Sequence, residues 1–334
     1  MRLVQIHDGT QRRVAVVNEP NLLILREVDS VIALADRALS AGRGLSELIG
    51  ELTTEDALSY DAIYEGRSDW KLLPPIDGPG EPRRVHVSGT GLTHLGSARE
   101  RQAMHVVADA QEQMTDSMRM FEWGRKQGRP REGEIGIAPE WFHKGDGSIL
   151  QAPFGSLTIP GYAEDGGEEA EIAAIYLIAS DGNPWRIGMA AGNEFSDHVF
   201  ERRNYLNLAG SKLRSCSIGP ELVVGARFDD VHGSVRIVRN GQSIWEKQIR
   251  SGESNMCHSL ANLEHHHFKF AAHRQPGTVH IHFLGADCLS FGEGIHLQSG
   301  DLTEIQFADF GRPLRNTIAI DEPLTTPLRV QVMQ

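Results

Sequence analysis

The sequence predicts an α+β fold, with a small N-terminal α+β domain followed by a larger domain that consists mainly of strands. Two segments, 30–52 and 97–127, have the helical spacing of apolar residues, while the second half of the 334-residue chain is mostly a succession of short strand-like runs. Between these parts, WKLLPPIDGPGEPRR at 70–84 holds four of the fifteen prolines. Proline fixes φ and removes a backbone donor, so we predict an extended linker here and domains at 1–78 and 79–334.

The first elements follow from local patterns. Residues 1–30 alternate apolar and polar side chains around the turns HDGT and NEPN, which predicts a small antiparallel sheet. The segment 30–52 places four apolar residues on one helical face: Val31, Leu34, Ala35 and Ala38. The segment 97–127 is predicted as one long helix with a similar apolar stripe: Ala103, Val107, Ala110, Met114, Met118 and Phe121.

The remainder of the chain is predicted mainly as strands. A short strand with a glycine turn is predicted at 85–91, followed after the long helix by a loop at 128–140. Further strands are predicted at 156–159, 170–179, 185–191, 221–227, 233–238, 243–249, 278–284, 302–308, 315–320 and 328–333. Helices are predicted between them at 194–208 and 256–273.

Composition argues against several classes of partner and location. The chain has 45 acidic and 33 basic residues, for a net charge of −12, which disfavours nucleic acid because such affinity comes from clustered Lys and Arg. No apolar run of 18 residues is present, so we expect no membrane partner. The N-terminus has no apolar signal segment, and Cys216, Cys257 and Cys288 form no CxxC pair, so we expect a reducing cytoplasmic location.

The stretch GGEEAEIAAIYLIAS at 166–180 concentrates carboxylates at the start of a predicted buried strand. Successive strand side chains point to opposite faces, so Glu169 and Glu171 share one face. Two like charges there repel each other and lose hydration, and a bound divalent cation would offset both costs. Glu194, at a predicted strand-to-helix junction, is the candidate third ligand. The alternative is that these are solvated charges at element ends, and for Glu168 we adopt that alternative.

The order of several short motifs resembles the fumarylacetoacetate hydrolase superfamily. The chain carries LLPPI (72–76), SGTGLTHLG (88–96), PEWFHK (139–144), EAE (169–171), GNEFSDH (192–198), GSKLRSCSIGP (210–220), SGDLTEI (299–305) and GRPLRNTI (311–318). Within this set, SGTGLTHLG and PEWFHK are most similar to a subgroup that is associated with sugar-acid breakdown and dehydrates 2-keto-3-deoxypentonates. Two departures concern the site: Glu194 stands where the family has Asp, and FLGADC (283–288) replaces a Thr-Gly-Thr-Pro strand. In addition, the predicted helix 97–127 is longer than usual for the family.

This resemblance implies a fold, a cofactor and partners. The C-terminal domain would be a mixed β-roll of the fumarylacetoacetate hydrolase type, and the chain would form a homodimer. Glu169, Glu171 and Glu194 would hold Mg²⁺, with Mn²⁺ as the other candidate. A small-molecule 2-keto acid would chelate the ion through a carboxylate oxygen and the keto oxygen, which acidifies the protons at C3.

Five further residues complete the predicted site. Lys212 would hold the keto or carboxylate oxygen, and a solvated surface lysine is its alternative. Lys144 would face the substrate, with a surface charge as an equal alternative. Glu140 precedes the apolar pair Trp-Phe, a setting that raises a carboxyl pKa, so it is our candidate general base, with a plain loop carboxylate as the alternative. His94 would pass a proton to the leaving hydroxyl or is a hydrogen-bonded core histidine, and Ser217 would contact the substrate through its hydroxyl.

The run EHHHFKF at 264–270 is not predicted to bind a metal ion. Consecutive helical residues point about 100° apart, so the three adjacent histidines cannot all reach one ion. We therefore expect these histidines to be structural or exposed.

Three functions remain in competition. The first, and our main prediction, is a metal-dependent dehydratase that converts a 2-keto-3-deoxy pentonate of the arabinonate or xylonate type to 2-oxoglutarate semialdehyde in pentose breakdown. The second is a hydrolase or decarboxylase of the same superfamily that acts on acylpyruvates or diketo acids. The third is a non-catalytic binding or scaffold protein with the same fold.

Overall fold

The computed structural model describes residues 1–99 and 115–333. Its strands are β1 (Arg2–His7), β2 (Arg12–Asn18), β3 (Asn21–Leu25), β4 (Thr53–Ser59), β5 (Lys71–Leu72), β6 (Val85–Gly89), β7 (Phe142–Asp146), β8 (Leu150–Gln151), β9 (Ser156–Ile159), β10 (Ala170–Ile178), β11 (Pro184–Asn193), β12 (Cys216–Ile218), β13 (Leu222–Val223), β14 (Val231–Arg239), β15 (Gln242–Ser251), β16 (Val279–Phe283), β17 (Leu302–Phe307) and β18 (Leu314–Ile320). Its helices are α1 (Val31–Ser40), α2 (Leu45–Leu52), α3 (Tyr60–Tyr64), α4 (Asp116–Gln127), α5 (His198–Arg203), α6 (Leu208–Ser211) and α7 (Leu260–Phe268).

These strands form two mixed sheets. The larger sheet has thirteen strands, with a main path β4-β3-β2-β1-β13-β11-β10-β16-β6-β7, and β5, β8 and β12 pair beside that path. The smaller sheet has five strands in the order β15-β14-β17-β18-β9. Most neighbours are antiparallel, but three pairs are parallel: β6 with β16, β8 with β12 and β9 with β18. Mixed sheets with separate helices confirm the predicted α+β class.

Strand β10 lies at the centre of the molecule, and all nine of its residues are buried. One face, which includes Ile172 and Tyr176, packs into a core shared with the five-stranded sheet. The opposite face, which includes Ala173 and Ile175, packs into a core shared with α1 and α2. Burial on both faces explains why residues 172–178 of this strand form a continuous apolar run in the sequence. The packing holds β10 from both sides and so fixes the position of the carboxylates at its start.

The N-terminal strands belong to the same sheet as β10. Strands β1, β2 and β3 pair antiparallel in sequence order, as the alternation in 1–30 predicts. At the other side, β1 pairs with β13, where Leu3 lies opposite Leu222. One continuous sheet thus joins the two parts of the chain, and the division at 1–78 and 79–334 stays a prediction.

Helices α1 and α2 replace the single helix predicted at 30–52. The Ser30 side chain caps α1 by accepting a hydrogen bond from the Ala33 amide, and the buried residues of α1 include the predicted face. Gly42, just beyond α1, has a φ of 64°. This left-handed conformation, which glycine adopts without steric cost, ends the first helix and turns the chain into the second.

Two other predicted elements differ from the structure. The helix predicted at 194–208 begins only at His198, because the Asp197 side chain accepts a hydrogen bond from the Phe200 amide and so caps α5 there. The prediction of a strand at 328–333 is wrong. That segment forms no strand with any described residue, so its apolar alternation has no neighbouring strand to pack against.

Two predictions are shortened. Of the strand predicted at 221–227, only β13 forms. Of the helix predicted at 97–127, the structure shows α4, which Thr115 caps, whereas 100–114 lie outside the described residues. Within the described ranges, no helix has the length and apolar character needed to cross a membrane.

Candidate metal centre

Three buried carboxylates converge where β10 begins and β11 ends. Strands β10 and β11 are antiparallel neighbours, and Ala170 lies opposite Asn193. This register places Glu194 beside Glu169, whose backbone oxygen accepts a hydrogen bond of 3.0 Å from the Glu194 amide. Glu169, Glu171 and Glu194 are all at least nine-tenths buried, and each offers a carboxylate oxygen within 4.8 Å of those of the other two. The structure therefore brings all three predicted ligands together.

The backbone around Glu194 has an unusual conformation. Phe195 has a φ of 57°, which is rare for a residue other than glycine, and its side chain is fully buried. A residue held in this region costs about 1–3 kcal/mol, so the surrounding packing must impose it. Beyond Phe195 the chain continues antiparallel to the segment before β10, where Ser196 pairs with Gly167. The Ser196 hydroxyl donates to Glu194 Oε2 at 2.8 Å.

Two buried lysines supply positive charge to the carboxylates. Lys212 Nζ lies 2.5 Å from Glu169 Oε1 and 2.6 Å from Glu194 Oε2. Lys144 Nζ lies 2.7 Å from the other oxygen of Glu194, Oε1. His198 Nε2 contributes a further contact at 3.1 Å to Glu169 Oε1. Glu169 and Glu194 are therefore balanced by nearby cationic groups.

The pKa shifts of Glu171 and Glu169 run in opposite directions. Burial raises the pKa of Glu171 well above the ordinary value, and the charges of Glu169 and Glu194 raise it further. The Gly285 amide donates a hydrogen bond of 2.6 Å to Glu171 Oε2, which offsets this only in part. For Glu169, burial also acts to raise the pKa, but the charge of Lys212 and the hydrogen bond with His198 outweigh it, so its pKa is lowered.

This donor set fits a divalent metal ion. Mg²⁺ and similar hard cations prefer carboxylate oxygens at roughly 2.0–2.6 Å, and oxygens within 4.8 Å of one another can surround such an ion after small adjustments. A cation among the three oxygens would also relieve the repulsion that raises the pKa of Glu171. In the part of the chain that the structure describes, no other group of three or more His, Cys, Asp or Glu residues brings its ligand atoms this close together.

Glu140, the predicted general base, is also buried and lies at the edge of a cavity. It is 4% exposed, and the Tyr205 hydroxyl donates to its Oε2 at 2.8 Å. A Cβ atom at Gly91 would come within 1.9 Å of Glu140 Oε1, so the absence of a side chain at that glycine makes room for the carboxylate. The cavity of about 350 Å³ is lined by Glu140, Tyr205 and Leu208, and Leu208 lies one helical turn before Lys212.

His94 is connected to the carboxylates through a short chain of contacts. Its Nδ1 lies 2.9 Å from the Thr93 hydroxyl, which donates to the Leu284 backbone oxygen, and the next residue, Gly285, donates to Glu171. Burial lowers the pKa of His94 to about 4, so the ring is neutral near pH 7. Its Nε2 is buried and has no hydrogen-bond partner among the described residues.

Ser217, the remaining predicted residue, makes its hydrogen bond within the protein. Ser217, on β12 opposite Asn193, donates its hydroxyl to the Gln151 backbone oxygen at 2.9 Å, which supports the pairing of β12 with β8. Substrate contact by Ser217 stays a prediction. Sequence reasoning missed Ser196 and His198, although both stand in GNEFSDH; the spacing of two and four residues after Glu194 was the available signal.

The solvated position expected for Glu168 is wrong. Its side chain is 1% exposed and accepts hydrogen bonds from the Ser290 amide at 2.8 Å and the Ser290 hydroxyl at 2.7 Å. Burial raises its pKa, and the two hydrogen bonds from Ser290 lower it in part. Glu168 thus joins the start of β10 to a loop more than 100 residues away.

Comparisons with known proteins were made on sequence and on structure. No protein-family model and no curated protein matches the sequence. Among solved structures, the apo form of 2-keto-3-deoxy-D-arabinonate dehydratase aligns over 96% of this chain and 100% of its own, with a TM-score of 0.70 and 16% identity. The same enzyme complexed with magnesium and 2,5-dioxopentanoate aligns over the same shares, with a TM-score of 0.70 and 17% identity.

A second kind of enzyme also shares the fold. The 5-carboxymethyl-2-hydroxymuconate delta-isomerase from Mycobacterium smegmatis aligns over 96% of this chain and 100% of its own, with a TM-score of 0.58 and 15% identity. At such identities the likeness shows a common fold and leaves the activity open. The chain therefore has the fold of these enzymes, as the resemblance to the fumarylacetoacetate hydrolase superfamily and its sugar-acid dehydratase subgroup predicts.

Proposed function

We propose that this protein is a Mg²⁺- or Mn²⁺-dependent dehydratase that acts on a 2-keto-3-deoxy pentonate. The observation that carries the proposal is the convergence of Glu169, Glu171 and Glu194 in a buried site, where burial and the other two carboxylates raise the pKa of Glu171. The fold supports it, since a sugar-acid dehydratase with this fold is complexed with magnesium and 2,5-dioxopentanoate. That compound is 2-oxoglutarate semialdehyde, the product predicted for this chain.

The residues of the site would then divide the chemistry among them. A bound divalent ion supplies an electrophile that polarises the keto group and makes the C3 protons more acidic. Glu140 takes one C3 proton, while Lys212 places positive charge near the oxygen on which negative charge develops. The C4 hydroxyl leaves as water after it accepts a proton; the His94 ring is neutral near pH 7, so it would relay to this oxygen the proton that Glu140 has taken. Movement of the resulting double bond to C4–C5 gives an enol that becomes the terminal aldehyde, so the net change is the loss of one water.

An assay with purified protein tests this proposal directly. Incubation with 2-keto-3-deoxy-arabinonate or 2-keto-3-deoxy-xylonate and Mg²⁺ should yield the semialdehyde, detected by NMR or by trapping as a hydrazone. Glu171→Gln should abolish turnover, because it removes a charged ligand, while Glu132→Gln, an exposed glutamate, should retain it. Absence of turnover with either sugar acid and either metal ion would overturn the dehydratase assignment.

One observation favours the hydrolase as a second candidate. His94 is neutral, and its buried Nε2 has no partner among the described residues, which suits a base that activates water. Cleavage of an acylpyruvate by this route would release pyruvate, which lactate dehydrogenase detects. Pyruvate release that is lost in His94→Asn, together with no semialdehyde from sugar acids, would favour this alternative. The homodimer stays a prediction from the resemblance, and light scattering of the 36.9 kDa chain would check it.

A further inference from the structure

The ammonium group of Lys144 is surrounded by three oxygen atoms of the protein. Lys144 lies on β7 and is fully buried. Its Nζ is 2.7 Å from Glu194 Oε1, 2.8 Å from the Phe195 backbone oxygen and 2.9 Å from the Lys212 backbone oxygen. The ammonium donates hydrogen bonds to the two backbone oxygens, and its contact with Glu194 Oε1 is an ion pair.

The three oxygens come from parts of the chain that build the site. Phe195 is the residue with the positive φ directly after Glu194, and Lys212 is the C-terminal capping residue of α6. Lys144 thus links β7 to two other parts of the site. One is the segment after β11 that holds Glu194 and Phe195, and the other is the end of α6, where Lys212 lies. A substitution of Lys144 would therefore act first on the position of Glu194.

The two buried lysines differ in what they contact. Lys212 Nζ lies among side-chain atoms, namely one oxygen each of Glu169, Glu194 and Ser196. Lys144 contacts two backbone oxygens, which cannot move without moving the chain. Lys212 can therefore change partners when a cation enters, whereas Lys144 is held in place.

We propose that Lys144 is a positioning residue that holds Glu194 in place for the metal ion and does not contact the substrate. This also accounts for glutamate at position 194: its length lets Oε1 contact Lys144 while Oε2 faces Lys212 and the other carboxylates. An aspartate carboxylate would lie one methylene closer to the backbone and so would not reach both lysines from the same backbone position. The inference rests on the proposed function only in requiring that the site binds a divalent cation.

Binding of Mn²⁺ alone, without substrate, tests the proposal. The concentration of free Mn²⁺, followed by its electron paramagnetic resonance signal, gives the affinity of each variant. We expect Lys144→Met to weaken Mn²⁺ binding about 10–100-fold, as loss of groups that orient metal ligands does. Lys71→Met, which changes an exposed lysine, is the matched control and should bind Mn²⁺ as the wild-type protein does.

A second measurement separates positioning from substrate contact. At saturating Mn²⁺, the affinity of Lys144→Met for pyruvate, a 2-keto acid, should stay within about threefold of the wild-type value. A loss of pyruvate affinity with unchanged Mn²⁺ affinity would overturn the inference. If Lys144→Met does not fold, as judged by circular dichroism, Glu194→Asp replaces it: this variant keeps the lysine and its backbone contacts, and it should also bind Mn²⁺ at least tenfold more weakly. Mn²⁺ affinity in Glu194→Asp equal to that of the wild-type protein would likewise overturn the inference.

Failure of this inference is distinguishable from failure of the proposed function. Wild-type protein that does not bind Mn²⁺ at all would overturn the metal site and the proposed function with it. Wild-type protein that binds Mn²⁺ while Lys144→Met binds it equally well would overturn only the role of Lys144.

Discussion

At the scale of single residues, two of the three carboxylates of the site contact a lysine, and the third, Glu171, accepts a hydrogen bond from a backbone amide. Lys212 bridges Glu169 and Glu194 at 2.5 and 2.6 Å, and both carboxylates are buried. Burying a charge is costly unless a partner compensates it, and this bridge supplies the compensation when no metal is bound. Glu171 lacks a comparable contact, since the Gly285 amide is a neutral donor. Of the three carboxylates, Glu171 is thus the one whose hydrogen bond comes from a neutral group.

Removing the bridging ammonium should destabilise the protein. Lys212→Met should lower the free energy of unfolding without metal by about 3–5 kcal/mol, because it removes the ammonium that two buried carboxylates share and leaves each with one cationic contact, Glu194 with Lys144 and Glu169 with His198. Mg²⁺ should stabilise this variant more than the wild-type protein, since the ion replaces the lost charge. Urea denaturation with and without Mg²⁺ measures both effects. Lys247→Met, which removes a half-exposed pair with Glu293, is the control and should cost less than about 1 kcal/mol; equal Mg²⁺ stabilisation of Lys212→Met and wild type would contradict the prediction.

Glu140 should affect turnover without affecting the metal. Glu140→Gln keeps the shape of the side chain and can still accept the hydrogen bond from Tyr205, but it cannot take a proton. We expect kcat to fall by about 10²–10⁴-fold, the usual contribution of a general base. The Mn²⁺ affinity should stay at the wild-type value, because Glu140 belongs to none of the described metal-ligand groups. A variant that retains its kcat would remove Glu140 from the proposed chemistry.

The sequence predicted the carboxylates of the site but not their partners. The shared face of Glu169 and Glu171 follows from strand alternation, which is local. The contacts of Lys144 could not be predicted in this way, because they depend on how β7, the end of β11 and the end of α6 meet in space. The prediction for Glu168 failed for the same reason, since its partner, Ser290, is 122 residues away along the chain.

At the scale of elements, predictions succeeded where a pattern was long and failed where the chain turns. Strand β10 was predicted to within one residue, because its apolar run of seven residues, 172–178, is typical of a strand buried on both faces. The helix predicted at 30–52 failed at Gly42, where one glycine conformation divides it. The strand predicted at 328–333 shows the opposite limit: alternation indicates that a segment can form a strand, but a strand also needs a neighbour.

The histidine-rich helix α7 packs into a cluster of imidazole rings. The His267 and His282 ring centres are 4.5 Å apart, those of His267 and His273 are 4.6 Å apart, and His267 Nε2 lies 2.9 Å from His280 Nδ1. His282 also contacts the hydroxyls of Ser88 and Thr90. Burial, and to a smaller extent the neighbouring histidines, lowers the pKa of His280 and of His282 to about 3. The His280 and His282 rings are therefore neutral in the folded protein near pH 7.

Stability should therefore fall as the pH falls below about 6.5. In the unfolded chain these histidines take up protons near pH 6.5, whereas in the folded protein His280 and His282 do so only near pH 3. The unfolded state binds more protons between these values, so each histidine should cost up to about 1.4 kcal/mol per pH unit. Urea denaturation between pH 6.5 and 5 measures this slope above the range where most carboxylates titrate.

Variants identify the source of that slope. His282→Gln should make it shallower, while His265→Gln, which changes an exposed histidine on the same helix, should leave it unchanged. The same slope in wild type and His282→Gln would show that the cluster does not account for it.

At the scale of the whole molecule, a buried carboxylate joins the two parts of the chain. Glu221 is fully buried next to β13, the strand that pairs with β1. Its Oε1 accepts hydrogen bonds from the Tyr60 hydroxyl at 2.9 Å and the Arg312 amide at 3.0 Å, and its Oε2 lies 2.9 Å from Arg2. A Cβ atom at Gly311 would come within 2.3 Å of this carboxylate, so glycine is needed for the close approach. Three segments that are far apart in the sequence therefore share one acceptor.

Removal of this shared acceptor should destabilise the molecule as a whole. Glu221→Ala leaves the Tyr60 hydroxyl and the Arg312 amide without their acceptor, so we expect a loss of about 2–4 kcal/mol in the free energy of unfolding. Because one sheet contains β1, β13 and β10, the loss should appear as one cooperative transition at lower urea concentration. The control is Glu19→Ala, which removes an exposed partner of the same Arg312 and should cost less than about 1 kcal/mol. Early, separate unfolding of residues 1–78 in Glu221→Ala, seen by hydrogen exchange, would instead show that the N-terminal part is an independent unit that Glu221 only docks to the rest of the chain.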